Sequence, residues 1–225
     1  MNNYKLHQII ASISVTIFIL CASLCILVHN RSVYEKTNKE YRETIEEISL
    51  QDEEVGIVLT EFESSINYKQ IADEFTAFFG NDYKLVGYEL SDANIDKLKE
   101  LKAYYRWAWI FAIASLVVGI RSFIVLSIRR LYMPLVYGGI GAAFMTAIFT
   151  FIMANSKDGM AGHIRRMVFE RDYSFFSGQD ILTKVFPPEF ANKLLLAYIG
   201  IVFILILVMA LIRGIIIYCG RPHRF

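Results

Sequence analysis

The chain has 225 residues, of which 55% are hydrophobic, and its formal net charge at pH 7 is +1. With a mean hydropathy of +0.41, it is too apolar for an ordinary soluble domain of this length. We therefore expect an integral membrane protein, and we expect no nucleic-acid partner.

Four apolar segments are long enough to cross a membrane, which takes about 20 residues of helix. They cover residues 9–28, 105–126, 131–153 and 194–218. The first is longer than the apolar core of a secretory signal, and no small-residue cleavage site follows it, so it is predicted to be a retained anchor. The expected fold class is an α-helical integral membrane protein with four transmembrane helices and a small mixed α/β outer portion.

The acidic residues predict the orientation. All 22 lie in two connecting segments, with 17 in residues 31–103 and 5 in residues 154–193. The N-terminal tail, the hinge around Arg129 and Arg130, and the C-terminal RPHRF contain Lys or Arg but no acid. By the positive-inside rule, both termini are cytoplasmic in a multi-pass protein of the cell membrane, and segments 29–104 and 154–193 lie outside.

The first outer segment contains signs of both strand and helix. VGIVLT (55–60) and YKLVGYEL (83–90) are short apolar runs of strand type. INYKQIADEFTAFFG (66–80) has apolar residues at helical spacing. From Ser91, a good N-cap residue, no helix breaker occurs before the second span, so we predict one continuous helix that enters the membrane.

The cysteines and charged residues exclude several classes of protein. Cys21 and Cys25 lie in the first span and Cys219 beside the C-terminal tail, so no disulfide holds the outer segments together, unlike tetraspanin-like proteins. The spacing of His and acidic residues suggests no metal site, and no cofactor is expected. No acidic residue lies at mid-depth in a span, which argues against an ion-coupled transporter.

Within the spans the patterns indicate structure. Gly138 with Ala142, and the same spacing one residue later, are small residues that let helices approach closely. Arg121 and Arg213 are predicted near cytoplasmic helix ends, where long side chains extend towards water.

The second outer segment, residues 154–193, alternates apolar and charged residues and should lie on the outer leaflet or under the first outer segment. His163 is then near the lipid headgroups. With an unperturbed pKa of about 6.5, a histidine can exchange a proton at neutral pH. The alternative is that His163 is only an amphipathic anchor, and the residues alone leave both possibilities open.

The order of spans and loops, together with GHIRRMVFERDYSFFSGQDILTKVFPPEFAN (162–192), resembles the lipoprotein intramolecular transacylase family of bacterial membrane proteins. The family pattern is a Phe-His pair, an apolar Phe, an aromatic near a glycine, and an apolar run closing on Phe-Pro and a phenylalanine. The matching residues here are Gly162-His163, Phe169, Phe175-Phe176 with Gly178, and the run 181–190. The chain departs from the family at its other histidine, which lies in a Glu-x-x-His-x-x-Asp pattern. Here Asn94, Lys97 and Glu100 occupy those positions.

The resemblance implies an acyl transfer within a diacylglyceryl lipoprotein at the membrane, with membrane phospholipid as a further partner. An O-linked acyl chain would move from the glycerol to the α-amine of the N-terminal cysteine, leaving a lyso-form lipoprotein. His163 would be the general base and Lys97 would act in place of the family's second histidine. The residues expected to bind substrate are Glu100, Arg165, Arg166 and His29.

Two alternatives remain open. His29, at the outer end of the first span, could fill the missing histidine's role instead of Lys97. A protein of another class, which binds a partner or lipid through its acidic outer segment without catalysis, would also explain the missing histidine.

Overall fold

The structure, a computed structural model, describes residues 3–32, 73, 76–79, 92–128, 131–154 and 188–219. Its elements are helices: α1 (Asn3–His29), α2 (Asp92–Ser127), α3 (Pro134–Ala154) and α4 (Pro188–Cys219). Residues 73 and 76–79, within the predicted amphipathic helix, are also helical. The described residues contain no strand, so the predicted mixed α/β outer portion is not supported. The two predicted strands, 55–60 and 83–90, lie outside the described residues.

Each of the four helices has a stretch long and apolar enough to cross a membrane, and this confirms the predicted number of spans. The four stretches are Tyr4–His29, Leu98–Ser127, Pro134–Ile152 and Lys193–Cys219.

Helix α2 is continuous over 36 residues, as the absence of a breaker after Ser91 predicted. At about 1.5 Å per residue it is about 54 Å long, well beyond the roughly 30 Å of a hydrocarbon core. Its first turns therefore precede the membrane-spanning stretch. A short hinge then leads to α3, which begins at Pro134. Proline suits the first position of a helix, because the N–H that it lacks would have no partner within the helix there. The N–H groups of Val136 and Tyr137 both donate to the carbonyl of Met133.

The chain divides into two compact units. The first comprises Met1–Ile26, Ala103–Gly159 and Leu196–Phe225, and the second comprises Leu27–Lys102 and Met160–Leu195. In the first unit, three helices contribute buried residues to one apolar core: Val15, Ile19, Leu135, Ala142 and Val202. Helix α2 adds Phe123 against this core. All four helices therefore contribute side chains to the packing of the bundle.

Helices α1 and α3 are in close contact through glycine. A Cβ atom added to Gly138 would lie 2.5 Å from Cβ of Val15 and 2.9 Å from the carbonyl oxygen of Ser12. A Cβ atom on Gly141 would lie 2.6 Å from Oγ1 of Thr16. That hydroxyl lies 3.0 Å from the carbonyl oxygens of both Ser12 and Gly138 and can donate to either. The small residues therefore do serve helix packing, as their spacing predicted.

Other hydroxyl groups in the bundle donate to carbonyls of their own helix. Ser23 donates to Ile19 at 2.7 Å, Ser115 to Ala112 at 2.9 Å and Thr150 to Thr146 at 2.8 Å. Such bonds satisfy a hydroxyl inside an apolar bundle without a partner from another helix.

Candidate functional site

The predicted site residues fall into the chain ranges of one compact unit. The ranges Leu27–Lys102 and Met160–Leu195 contain all six: His29, Lys97, Glu100, His163, Arg165 and Arg166. His163, Arg165 and Arg166 lie outside the described residues, so their predicted roles stay predictions. The described part of this unit supplies the remaining three positions and the contacts around them.

His29 is the last residue of α1, and its side chain is exposed. At this end the N–H of Asn30 donates to the carbonyl of Leu27 at 3.1 Å. This bond joins residues three apart, as in a 3₁₀ turn, instead of four apart as in an α-helix. This position suits the anchor role as well as the chemical one.

Lys97 and Glu100 lie on the first turns of α2, three residues apart and hence on one side of the helix. The side chain of Glu100 is exposed. The neighbouring Leu98 is only 3% exposed, so α2 is packed on that side and open on the side of Glu100. The exposed ion pair of this region joins Lys99 to Asp96 at 2.9 Å. At such exposure an i,i+3 pair contributes little to stability.

Phe78 connects α2 with the helical residues 76–79. Its side chain is 8% exposed, and its ring meets that of Phe79 edge to face with centroids 5.3 Å apart. Nζ of Lys102, one turn after Leu98 on α2, lies 4.8 Å from the centroid of Phe78. An ammonium over an aromatic face is attracted by the ring quadrupole. The pair therefore positions the start of α2 against this segment.

An ion pair connects the same segment with the end of α1. Nη1 of Arg31 lies 2.8 Å from Oδ1 of Asp73. Both side chains are partly exposed, so the pair orients more than it stabilises. Together with the Phe78 contact, it ties the chain just after His29 and the helix carrying Lys97 and Glu100 to Asp73 and residues 76–79. The predicted site positions of α1 and α2 therefore share one framework.

This framework follows only in part from the sequence. The residues predict the amphipathic helix that contains Asp73 and Phe78, and helical spacing identifies Phe78 as an apolar position. Nothing in the sequence pairs Arg31 with Asp73 or Lys102 with Phe78, because these contacts join residues far apart in the chain.

Among the described residues, no group of three His, Cys, Asp or Glu side chains could hold a metal ion.

The fold defined by these helices is that of a multi-pass membrane protein with four spans, a long connection after the first and a shorter one after the third. No family model and no curated protein matches the sequence.

Solved structures do match. They are structures of the membrane integral lipoprotein intramolecular transacylase Lit from Bacillus cereus, two of them with one histidine replaced, by arginine or by alanine. TM-scores are 0.73 to 0.75 and identities 13 to 16%. The matches cover 97% of this chain and 93 to 97% of those chains. The chain therefore has the fold of these transacylase structures over almost its whole length.

Proposed function

We propose that this chain is a membrane-embedded acyltransferase that moves an O-linked acyl chain of a diacylglyceryl-cysteine lipoprotein onto its N-terminal α-amine. The observation that carries the proposal is the likeness of fold to Lit over 97% of the chain. The residues around His163 support it independently, because their order resembles the family's motif. The substrates would be diacylglyceryl lipoproteins held in membrane phospholipid, with both termini of the enzyme in the cytoplasm.

The chemistry needs a base first. An α-ammonium group has a pKa of about 8 and is mostly protonated at pH 7. His163 would take a proton from this group, after which the amine nitrogen attacks the ester carbonyl and the C–N bond forms. Cationic or N–H donors, for which Lys97, Arg165 and Arg166 are the candidates, would stabilise the tetrahedral oxyanion.

Collapse of this intermediate breaks the bond to the glycerol oxygen. His163 would return its proton to that oxygen, and the attacking nitrogen would release its second proton to water, so the products are an amide, a free glycerol hydroxyl and one released proton. No covalent enzyme intermediate is needed, because nucleophile and ester belong to one substrate and the entropic cost of their encounter is low.

The histidine is tested by mass spectrometry of lipoprotein N-termini from cells that make wild-type protein, His163→Asn or the control His223→Asn. We expect lyso-form lipoprotein with the wild type and the control, and a loss of about 10²–10⁴-fold in rate with His163→Asn. Unchanged lyso-form production by His163→Asn would reduce this histidine to an anchor.

The second position is tested in the same assay. We propose that Lys97, rather than His29, acts at the site of the family's second histidine, because it occupies the matching place on the helix that carries Glu100. A lysine can act there as an oxyanion donor, or as a base if desolvation lowers its pKa. We expect Lys97→Met to be inactive, Lys97→His to be active, and Lys99→Met, two residues further on the same helix, to match the wild type. An active Lys97→Met with an inactive His29→Gln would transfer the role to the end of α1.

A non-catalytic function is the second candidate, and the lysine at position 97 favours it. In that case the segment of residues 31–103, with 17 acidic against 9 basic residues, would bind a cationic partner or lipid. Lipoprotein N-termini that are identical with and without the chain would support this candidate and reject acyl transfer.

A further inference from the structure

The sequence segments at and next to one end of the helix bundle contain several cations and no acid. Helix α4 runs antiparallel to α3, since Ile206 lies against Gly139 and Arg213 reaches Met133. The end of α4 and the start of α3 therefore meet. In the sequence, residues 1–8, 121–133 and 213–225 contain seven Lys and Arg and no Asp or Glu: Lys5, Arg121, Arg129, Arg130, Arg213, Arg221 and Arg224.

Of the cations of α4, Arg213 lies farthest from the nearer end of the helix. It precedes the last residue of the helix, Cys219, by six residues, or about 9 Å. Its Nη2 lies 3.3 Å from Sδ of Met133, and a thioether is a weak acceptor. Its Nε is buried and has no hydrogen-bond partner among the described residues.

No carboxylate neutralises this guanidinium within the described part of its unit. Residues 3–26, 103–128, 131–154 and 196–219 contain neither Asp nor Glu. Arginine does not lose its charge by deprotonation. A charged group at membrane depth is expected to pair with an opposite charge or reach the interface. Among the described residues of this unit, no side chain supplies such an anion.

An apolar groove runs along the same stretch of α4. It has a volume of about 440 Å³ and is lined by Leu207, Ala210, Leu211, Gly214, Ile215 and Tyr218. Ala210 and Gly214 leave it open, and a Cβ atom on Gly214 would meet nothing within 4 Å. Only 11% of the most apolar stretch of α4 is buried, against 28 to 33% in the other three spans.

We propose that this end of the bundle binds one anionic phospholipid, with the headgroup phosphate on Arg213 beside Met133 and an acyl chain in the groove of α4. Guanidinium and phosphate are matched in charge and in two-pronged hydrogen-bond geometry. Clustered Lys and Arg at a span's end attract anionic lipid. The groove on the same stretch of α4 favours a lipid over free phosphate, because only a lipid could contact the arginine and also fill the groove. The site is separate from the proposed acyl transfer and holds whether or not that activity exists.

The test uses the full-length protein in detergent and native mass spectrometry with phosphatidylglycerol, phosphatidylcholine or inorganic phosphate. We expect phosphatidylglycerol to bind the wild type more tightly than phosphatidylcholine and to raise its apparent Tm. Arg213→Gln should weaken phosphatidylglycerol binding by about fivefold, the usual weight of one cation near an anionic surface. Arg213→Lys should retain most of the affinity. The control Arg121→Gln, an exposed arginine of α2, should change it less.

A second variant tests the groove with the charge intact. Gly214→Leu adds its side chain to open space, so the protein should fold and bind phosphatidylglycerol more weakly than the wild type. Three results would each overturn the proposal. The first is equal binding of phosphatidylcholine and phosphatidylglycerol, and the second is a Tm increase with inorganic phosphate as large as that with the lipid. The third is an unchanged affinity for phosphatidylglycerol in both Arg213→Gln and Gly214→Leu. Because the readout is lipid binding, failure here is distinct from failure of the lipoprotein assay.

Discussion

Gly138→Ala is the change to which the bundle should be most sensitive. The new methyl carbon would lie 2.5 Å from both Cβ and Cγ1 of Val15 and 2.9 Å from the backbone oxygen of Ser12. Carbon atoms in contact are normally about 3.5–4.0 Å apart. Relief of the clash therefore needs about 1–1.5 Å of separation between α1 and α3. A rotamer change cannot supply this, because a Cβ atom and a backbone atom are fixed to the helix.

The separation has two costs. It would lengthen the 3.0 Å contact between Oγ1 of Thr16 and the carbonyl of Gly138 beyond hydrogen-bonding distance, at about 0.6 kcal/mol for an interhelical bond in a membrane. Overpacking of a tight core costs about 1–3 kcal/mol more. Alanine is the better helix former by up to about 1 kcal/mol. This gain occurs equally in Gly200→Ala, where the added Cβ atom meets nothing within 4 Å, so that variant is the matched control.

The assay is thermal unfolding of the purified variants in one detergent. Relative to Gly200→Ala, we expect Gly138→Ala to lose about 2–3 kcal/mol, or about 5–10 °C in apparent Tm for a chain of this size. Gly141→Ala should fall between them, because its close neighbour is the hydroxyl of Thr16, which can rotate away. Equal Tm values for Gly138→Ala and Gly200→Ala would refute the close contact of α1 with α3.

Three further predictions follow from the other contacts and from the charge pattern. Phe78→Ala should destabilise the protein by about 3 kcal/mol or more, and Phe79→Ala by clearly less, because Phe78 is buried and Phe79 is only partly buried; equal Tm losses would contradict this packing. Asp73→Asn should cost less than about 1 kcal/mol, since its ion pair is half-exposed, and a larger loss of Tm would mean a stronger pairing. In a chain with its own cysteines replaced, an impermeant thiol reagent applied to intact cells should label Glu53→Cys and spare Arg224→Cys, and the reverse pattern would invert the topology.

The sequence predicted the spans well because membrane insertion depends on local composition. A stretch of about 20 apolar residues crosses the bilayer whatever its neighbours are. The continuity of α2 was predictable for a similar local reason, since no Gly or Pro interrupts the chain between Asp92 and its apolar stretch. Only the residues themselves were needed for these two predictions.

Which helices pack against each other was not predictable from local composition. The spacing of small residues on α3 predicted close packing but not which helix each glycine meets. Gly138 and Gly141 face α1, whereas Gly139 lies against Ile206 of α4, where an added Cβ atom would be 3.3 Å away. In a membrane, lipid-facing and helix-facing surfaces are both apolar, so hydrophobicity does not distinguish them. The same limit applies to Arg31 with Asp73, because an ion pair between distant segments has no signature in either one.

The two compact units divide the residues by chemistry. In the described part of the first unit, no carboxylate is present, and buried hydroxyls such as those of Ser23 and Ser115 donate to carbonyls of their own helix. Groups satisfied in this way are poorly placed to transfer protons, because moving the hydroxyl proton would break the bond that makes burial tolerable. The ranges of the second unit contain every residue proposed for acyl transfer. Variants of the first unit such as Gly138→Ala should therefore lower Tm and activity together. Changes at Lys97 or His163 should remove activity at unchanged Tm, and that separation of stability from turnover is what distinguishes a catalytic residue here from a structural one.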